Sequence, residues 1–527
     1  TPVADEADPN APDKNKNYWS AFGEWYFVGY GEGCAPLEAW SAKNPIFVIA
    51  QVYLNGVSAG EAYLSEVGSQ VYAVGTNGYD ITEDVKSRLA ARGDQMITNQ
   101  DIPVPTWFVN YDAADHSLQY WKTANDCSPS GTQNADYGTV YVQAGDSDAW
   151  QTQYAGPISK VAVDSRQSLS GREIHDFLTC YTRYDNTSAY GNALMLRGDY
   201  TDVIVNAHKS PDRYAEQKVT IADGATATMI CTIVDIEGEP REILFYIPDN
   251  ASELQPDGAP VITAWAGGSQ TNIIFFDSTC WWETANQNGI ALIFTNEAYN
   301  TSVAVTPADV DACYHAMLDL LEGWNDSGKF QFDLSRIYST GQSMGSMESQ
   351  QFAQETPDYY AAVASTSFYQ DYPDAHSDKP IPTYLINGEG NGKDDTGTPY
   401  DDRWNRTDDW AQYFLRVNGF VYTPAVYAAD GTVTTFGVPV SEPVFTVTGP
   451  YDRFETYTWI NGQDIPLVQY TNSLYRPHNC LTSEIPMLWD FLEHYRCERD
   501  EDGAVTARYY SASAFKRDDQ VLIQFGA

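Results

Sequence analysis

The sequence predicts an α/β fold in its C-terminal part and a separate β-rich domain before it. From Arg241 onward, short apolar runs alternate with longer segments of helical period, which is typical of a mostly parallel sheet flanked by helices. Before residue 215, runs such as Phe47–Leu54 and Gly138–Gln143 are separated by Gly, Asn and Asp turns. The 527 residues also exceed what one hydrophobic core usually serves. We therefore expect two domains, residues 1–215 and 216–527, the first with a disordered start.

Seven strands are predicted in the C-terminal domain, each a short apolar run. In chain order they are Arg241–Pro248, Pro260–Trp265, Ile290–Thr295, Arg336–Thr340, Tyr360–Ser365, Pro382–Asn387 and Pro466–Thr471. The clearest helix has Thr306 as its N-cap and Pro307 as its first residue, both favourable at those positions. A last helix carries an apolar stripe from Met487 to Tyr495, and residues 421–451 are expected to form a β-rich insertion.

The charge and composition exclude several classes of function. A formal net charge of −42 repels phosphates and anionic membrane surfaces, so nucleic acid is not an expected partner. The hydrophobic content of 43% indicates a folded chain, and no run of apolar residues is long enough for a transmembrane helix. The polar start, residues 1–17, resembles the tether of an exported chain after removal of its signal. We expect a secreted or cell-surface protein.

Neither a metal nor an organic cofactor is expected from the motifs. The eight cysteines include no CxxC pair, which argues against zinc, and the sequence leaves both buried thiols and disulfides open. No GxGxxG or GxxxxGK[ST] sequence is present, so no nucleotide or flavin site is predicted. The chemistry must then come from the side chains themselves.

Two G-x-S-x-G sequences occur, one around Ser58 and one around Ser343. The motif places a nucleophilic serine on a sharp turn when a strand enters it and a helix leaves it. Ser343 has this context, because the strand Arg336–Thr340 precedes it and a helical segment follows it up to Pro357. Ser58 also follows a strand, but neither a strand that would carry the oxyanion loop nor a helix of the right kind precedes it. We predict Ser343 as the nucleophile and interpret the glycines around Ser58 as turn residues.

A serine hydroxyl needs a base within hydrogen-bond reach, and in this arrangement the chain order is serine, acid, histidine. Only His376, His478 and His494 follow Ser343. His478 lies in the loop between the last strand and the last helix, where the base is expected. His494 falls inside the last helix, near the end where a histidine complements the helix dipole, and His376 comes too early. His478 is the predicted base.

The oxyanion of the reaction requires backbone donors, and the base requires an acid. We expect the amide of Met344 and an amide of the glycine-rich loop at Gly267 to bind the oxyanion. The acid should follow the strand Pro382–Asn387, but the third position after Gly388 is Asn391, which carries no charge. The nearby carboxylates are Glu389, Asp394 and Asp395. Asp394 is preferred, because the glycines around it allow the loop to fold back toward the base.

These segments together resemble one branch of the α/β-hydrolases, the extracellular polyhydroxybutyrate depolymerase and feruloyl esterase-like enzymes. The resemblance covers about 300 residues. It rests on the segments Arg241–Pro248, Ala264–Ser269, Trp281–Glu283, Ser339–Ser346, Pro382–Gly390 and Pro477–Tyr495. The sequence departs from the family where His-Gly usually opens the oxyanion loop, since Trp265, Ala266 and Gly267 stand there, and where the family's aspartate is Asn391. The resemblance implies an immunoglobulin-like fold for residues 1–215.

The expected function is that of a serine carboxylic-ester hydrolase acting through an acyl-enzyme on Ser343. The resemblance implies an aromatic ester of the cinnamoyl or feruloyl type, or a polyester, as substrate. Two alternatives stay open, namely a serine peptidase of the same fold and a catalytically silent binding protein. Five aromatic residues lie at or after the end of the strand Pro260–Trp265, which leads into the oxyanion loop, and are expected to line an acyl pocket or to pack in the core. They are Trp265, Phe275, Phe276, Trp281 and Trp282.

Overall fold

The computed structural model describes most of the chain, in two compact units. The described residues are 25–73, 96–111, 115–144, 158–183, 194–196, 201–221, 224–236, 238–268, 270–298, 307–369, 372–388, 408–423, 426–429, 433–435, 438–449, 454–473, 480, 482–501, 503–514 and 519–526. The N-terminal unit comprises Ala21–Gly198 with Ile221–Gly224, and the C-terminal unit comprises Asp199–Thr220 with Ala225–Ala527.

The N-terminal unit is a mixed sheet with helices. Its strands are Trp25–Tyr30 (β1), Val48–Leu54 (β2), Val71–Ala73 (β3), Met96–Thr98 (β4), Thr106–Val109 (β5), Thr132–Asn134 (β6), Gly138–Val142 (β7), Lys160–Asp164 (β8), Tyr181–Arg183 (β9) and Leu194–Leu196 (β10). Its helices are Cys34–Lys43 (α1), Glu61–Gly68 (α2), Asp115–Ala124 (α3) and Gly171–Leu178 (α4). The main sheet has the order β1-β2-β5-β8-β7-β6, and its first four strands are parallel.

The prediction of an immunoglobulin-like N-terminal domain is therefore wrong, because that fold is built from antiparallel sheets. Every residue of β2 and β5 is buried, which is typical of parallel strands covered by helices on both faces. Successive parallel strands are joined by crossovers that contain α1, α2 and α3. These helices are short and carry aromatic residues such as Trp40, Tyr63 and Trp121, so their composition was misleadingly strand-like.

The C-terminal unit contains the longer sheet. Its strands are Tyr214–Thr220 (β11), Thr226–Ile236 (β12), Glu239–Pro248 (β13), Ala259–Trp265 (β14), Ala291–Ala298 (β15), Phe332–Gly341 (β16), Ala362–Thr366 (β17), Thr383–Gly388 (β18), Tyr422–Thr423 (β19), Val426–Tyr427 (β20), Val433–Thr435 (β21), Val438–Pro439 (β22), Val444–Thr448 (β23), Phe454–Ile460 (β24), Pro466–Ser473 (β25), Tyr495–Arg499 (β26), Val505–Tyr510 (β27) and Val521–Leu522 (β28). Its helices are Thr201–Lys209 (α5), Ala251–Leu254 (α6), Asn272–Thr279 (α7), Trp281–Asn288 (α8), Pro307–Ser327 (α9), Met344–Glu355 (α10), Asp408–Val417 (α11) and Glu484–Leu492 (α12).

The order of this sheet is β11-β12-β13-β15-β14-β16-β17-β18-β25-β24-β23. Strand β13 is antiparallel to both neighbours, whereas the strands from β15 to β25 are parallel to one another. Strand β13 followed by an exchange of β14 and β15 and then by sequential parallel strands is the α/β-hydrolase arrangement. Antiparallel pairs extend the sheet at both edges, β11 with β12 at one and β24 with β23 and β25 at the other. The predicted α/β fold is thus confirmed for this unit, and all seven predicted strands overlap observed ones.

The register of the parallel strands brings their carboxyl ends to one edge of the sheet, which we call the carboxyl edge. Gly341 pairs with Trp265, Thr366 pairs with Ile386, and Gly388 pairs with Ser473. The connections after β14, β16, β17, β18 and β25 therefore all leave from the same edge. In open α/β sheets this edge is where ligands bind. None of the described helices has the length and apolar composition needed to cross a membrane.

Candidate active site

Ser343 occupies a sharp turn between β16 and α10. Its backbone has φ 57° and ψ −116°, a combination that side chains other than glycine rarely adopt and that costs conformational energy. The turn is held by the Ser343 amide, which donates to the Thr366 carbonyl at 3.2 Å, and by the Met347 amide, which donates to the Ser343 carbonyl at 3.0 Å. The strand and the helix predicted around this serine are both present. The strain is of the kind that lifts a nucleophile above the sheet.

The glycines of the motif are required by close backbone contacts. A Cβ atom on Gly341 would lie 2.1 Å from the Gly345 carbonyl oxygen. A Cβ atom on Gly345 would lie 1.9 Å from the Trp265 carbonyl oxygen, on the neighbouring strand β14. Both distances are far shorter than any van der Waals contact allows. The turn can pass this close to β14 only with glycine at both positions.

Of the two predicted oxyanion donors, the Met344 amide has no acceptor within its helix, whereas the Gly267 amide already donates to a side chain. Met344 is the first residue of α10, so its amide has no acceptor within the helix. The Gly267 amide donates to the Gln270 side-chain oxygen at 2.8 Å, and a Cβ atom on Gly267 would lie 2.5 Å from Gln342 Oε1. The oxyanion loop is thus packed on the residue before Ser343. The Gly267 amide reaches a substrate oxygen only when the Gln270 side chain moves away.

The predicted base, the predicted acid and three further carboxylates that could serve as the acid lie outside the described residues. They are His478, Asp394, Glu389, Asp395 and, after β17, Asp371. Their loops nevertheless start from described strands, since the acid loop follows Gly388 and the base loop follows its pairing partner Ser473. Asp374, the other carboxylate after β17, is exposed in a 3-10 turn.

The two other histidines after Ser343, His376 and His494, contact residues outside the nucleophile turn. The His376 ring lies against the Tyr413 ring, with 4.0 Å between ring centroids. His494 follows α12, and its Nδ1 lies 2.6 Å from the Ser511 carbonyl oxygen. Both rings are engaged by residues that are not part of the nucleophile turn. The described histidines after Ser343 are therefore poor candidates for the base.

Glu484 is a residue near the turn that sequence reasoning missed. It is the first residue of α12, and its side chain is fully buried. The Thr366 hydroxyl donates to Glu484 Oε2 at 2.9 Å, and the Thr366 carbonyl accepts the Ser343 amide. A glutamate in a first helical turn is a common favourable feature of helices, so its sequence position gave no signal of a role at the site.

Apolar side chains of two kinds surround the site. Met344 and Phe368 are 40% and 36% exposed. Met344 directly follows Ser343, and Phe368 lies two residues after Thr366, whose carbonyl accepts the Ser343 amide. The five aromatic residues after the oxyanion strand are all buried. Trp265 packs on Phe352 and donates to Ser339 Oγ at 3.1 Å. The core accounts for these aromatics, whereas Met344 and Phe368 can meet a substrate.

A titratable group also lies on the helix that begins at Ser343. Burial raises the pKa of Glu348, on α10, to about 8. Burial and the charge of Glu348 both raise the pKa of Tyr372, in the segment that follows β17. Glu348 therefore holds its proton at neutral pH and adds no charge to this face of the helix.

The second motif has a histidine partner but unsuitable geometry. Ser58 Oγ lies 3.4 Å from His116 Nε2, and the same nitrogen lies 2.9 Å from the Ala59 carbonyl oxygen. A carbonyl accepts only from a protonated nitrogen, so Nε2 cannot also take the proton of Ser58. The Ala59 amide donates to Glu38 at 2.6 Å and therefore faces a carboxylate. Neither an available base nor an oxyanion donor is provided.

A packing role explains the first glycine of that second motif. A Cβ atom on Gly56 would lie 2.2 Å from Cys34 Sγ and 2.6 Å from the Gly31 carbonyl oxygen. The motif is thus a close contact between the end of β2 and the start of α1.

Within the part of the chain that the structure describes, no cluster of three or more His, Cys, Asp or Glu side chains could hold a metal ion.

Comparisons with known proteins were made at the level of sequence and of structure. No protein-family model and no curated protein sequence matches the chain. Among solved structures, it overlaps an acetyl xylan esterase from Aspergillus awamori at 15% identity, covering 47% of this chain and 93% of that one with a TM-score of 0.31. It overlaps a thermostable esterase at 13% identity, covering 68% and 85% with a TM-score of 0.32. An S-formylglutathione hydrolase from Staphylococcus aureus overlaps at 17% identity, covering 36% and 86% with a TM-score of 0.26. All three TM-scores lie below 0.5, so the fold assignment rests on the strand order and the nucleophile turn.

Proposed function

We propose that this chain is a serine carboxylic-ester hydrolase in which Ser343 is the nucleophile, His478 the base and Asp394 the acid. The observation that carries the proposal is the strained backbone of Ser343 at the carboxyl edge of an α/β-hydrolase sheet. A strand-turn-helix of this shape, closed by glycines that admit no side chain, is costly to maintain without a function for the exposed hydroxyl.

The chain on both sides of His478 supports its role as base. The base loop starts after Ser473, three strands from β16 in the sheet, which corresponds to about 14 Å. From Ser473 to His478 the chain can extend about 17 Å, so the histidine can reach the nucleophile. On the other side, Glu484 contacts Thr366, which is bonded to the Ser343 backbone. The segment that contains His478 is therefore bounded on both sides by described residues near the carboxyl edge, which supports its proposed role.

The proposed mechanism assigns one role to each of these residues. His478 removes the proton of the Ser343 hydroxyl as Oγ attacks the ester carbonyl, and Asp394 stabilises the imidazolium that forms. The Met344 amide stabilises the negative charge on the carbonyl oxygen, assisted by the Gly267 amide after Gln270 has moved. His478 protonates the departing alcohol, and water then cleaves the acyl-enzyme by the same sequence of proton transfers.

The substrate we propose is an aromatic ester of the cinnamoyl or feruloyl type, or a polyester. Exposed Met344 and Phe368 offer apolar surface beside the nucleophile, which suits an acyl or alkyl group of low polarity. The net charge of −42 disfavours polyanionic substrates.

The test compares hydrolysis of methyl ferulate, p-nitrophenyl butyrate and polyhydroxybutyrate with hydrolysis of a peptide anilide. We expect turnover of at least one ester, no turnover of the anilide, and loss of ester turnover in His478→Ala. Preferred cleavage of the anilide would instead support the serine peptidase of the same fold. Turnover of none of the four would support the silent binding protein.

A further inference from the structure

Three side-chain amides meet at the carboxyl end of the parallel strands in the N-terminal unit. Asn55 follows β2, Asn110 follows β5 and Gln167 follows β8. Asn110 Nδ2 donates to Asn55 Oδ1 at 2.6 Å and to Gln167 Oε1 at 3.0 Å, and Gln167 Nε2 donates to Asn110 Oδ1 at 2.9 Å. Asn55, Asn110 and Gln167, which we call the carboxamide row, thus come from three separate connections.

The backbone fixes the carboxamide row in place. Asn55 has φ 51° and Asn110 has φ 42°, both in the left-handed region, which asparagine tolerates better than most residues. The Asn55 amide donates to the Val109 carbonyl at 3.0 Å, and the Asn110 amide donates to the Asp164 carbonyl at 2.8 Å. Each asparagine therefore continues the strand ladder by one bond and then turns sharply. Polar groups held in this way need little further ordering when a ligand binds.

A cleft of about 800 Å³ adjoins the carboxamide row. This volume lies within the usual range for small-molecule sites, and the cleft lies outside the carboxyl ends of parallel strands, where such sheets bind ligands. Among the described residues that line it, the polar side chains are uncharged, with one exception. They belong to Asn55, Asn110, Tyr111, Gln133, Thr139 and Ser165.

The exception is Asp164, whose charge is compensated. Its carboxylate accepts from the Arg166 side chain at 2.6 Å and from the Arg166 amide at 2.9 Å. The same guanidinium also pairs with Glu173 at 2.6 Å. Asp164 is the one carboxylate among the described lining residues, and its ion pair with Arg166 makes it less available to a cationic ligand. An anionic ligand would be repelled by the net charge of −42.

We infer that this cleft binds a neutral oligosaccharide. Each sugar hydroxyl both donates and accepts a hydrogen bond. Both N–H groups of Asn110 are used within the row, and the Asn55 side-chain nitrogen donates once, to the Gln167 carbonyl at 3.2 Å. Among the described contacts, Asn55 Nδ2 and Gln167 Nε2 each keep one N–H group and each side-chain oxygen of the row keeps one lone pair, and these groups are complementary to hydroxyls. Among the described lining residues the single carboxylate is ion-paired, so a neutral ligand suits this lining better than a charged one. The inference is independent of the chemistry at Ser343, because every residue it uses belongs to the N-terminal unit.

The test is isothermal titration calorimetry with the full chain carrying Ser343→Ala, so that ester hydrolysis cannot contribute heat. The probes are xylotriose, cellotriose and mannotriose, with trigalacturonate as the anionic comparison. We expect saturable binding of at least one neutral trisaccharide and none of trigalacturonate. Asn110→Asp keeps the size and the left-handed turn but removes the two N–H groups of Asn110, which bind Asn55 and Gln167 in the row, and should weaken binding about tenfold or more.

Gln119→Glu is the matched control, since it makes the same change of amide to carboxylate on an exposed side chain of α3. It should bind like the parent. If Asn110→Asp lowers the melting temperature markedly, the exposed Gln167→Glu replaces it as the test variant. The inference is overturned if no neutral trisaccharide binds, if the row variant and Gln119→Glu bind equally, or if trigalacturonate binds as well as the neutral probes.

Discussion

The Thr366 hydroxyl donates to the buried carboxylate of Glu484 at 2.9 Å. This bond joins the end of β17 to the start of α12, and so brings the chain that follows His478 back to the neighbourhood of Ser343. Thr366 also receives the Ser343 amide on its carbonyl oxygen. One residue therefore connects the nucleophile turn with the segment that carries the proposed base.

The first prediction concerns the stability that this bond contributes. Thr366→Val keeps the shape of the side chain but removes a donor to a buried carboxylate, and should lower the free energy of unfolding by about 1–3 kcal/mol. Thr446→Val, on the exposed strand β23, should change it by less than about 0.5 kcal/mol. Urea unfolding measures both. Equal losses would mean that the Thr366 hydroxyl contributes nothing particular.

The second prediction concerns the glycine after the nucleophile. Gly345→Ala places a Cβ atom 1.9 Å from the Trp265 carbonyl, so the turn must open, and both ester turnover and thermal stability should fall. Gly323→Ala is the control, since it lies within α9 with open space around its Cβ position. This control should raise the free energy of unfolding by about 0.5–1 kcal/mol. An active and stable Gly345→Ala enzyme would contradict the described turn.

The third prediction concerns pH and Glu348. Burial raises the pKa of this carboxyl from 4.5 to about 8, so the folded chain keeps a proton that the unfolded chain loses in between. The stabilisation is complete below about pH 4.5 and is lost as the pH rises through about 8. Glu348→Gln mimics the protonated acid, so its stability relative to the parent should increase from pH 5 to pH 9.

Chemical unfolding at several pH values measures this difference. Glu253→Gln, at an exposed position on α6, serves as the control, and its difference from the parent should not widen with pH. A Glu348→Gln difference that stays constant from pH 5 to pH 9 would show that this carboxyl is ionised in the folded chain across that range.

The periodicity of apolar residues predicted the C-terminal unit better than the N-terminal unit, for physical reasons. Strands such as β14, with every residue buried, leave an unbroken apolar run that can be recognised without tertiary contacts. The edge strand β11 carries several exposed polar residues and resembles a loop. The other edge strand, β23, exposes mainly apolar residues and lies inside the segment 421–451 that the sequence predicts to be β-rich. In the N-terminal unit, the apolar run of β2 was equally visible in the sequence. Whether β2 pairs in parallel or antiparallel depends on the helices of the crossovers, and these helices could not be recognised because they are short and rich in aromatic residues.

The candidate site divides in the same way. Ser343 could be predicted because its motif is contiguous and its flanking strand and helix are local. Glu484 and Gln270 could not, because their contacts with Thr366 and Gly267 depend on which loops meet at the carboxyl edge. The flanking elements favoured Ser343 over Ser58 from the sequence alone, whereas the bond between His116 and the Ala59 carbonyl, which argues against Ser58 on geometric grounds, is encoded in no sequence pattern.

The fourth prediction concerns the acid. If Asp394 orients His478, then Asp394→Asn should keep the fold and lower the rate of ester hydrolysis by about three to four powers of ten. Glu389→Gln and Asp395→Asn should cost far less, and circular dichroism should show the same fold in all three variants. A crippled Glu389→Gln enzyme would move the acid to the residue directly after β18. Three active variants would direct attention to Asp371 and Asp374.

The central claim is that Ser343, and not Ser58, is the nucleophile. A fluorophosphonate probe reacts covalently with an activated serine hydroxyl, and peptide mapping by mass spectrometry identifies the modified residue. We predict one adduct, on Ser343, which is retained in Ser58→Ala and lost in Ser343→Ala with a fall in ester turnover of several powers of ten. An adduct on Ser58, or labelling that persists in Ser343→Ala, would contradict the account.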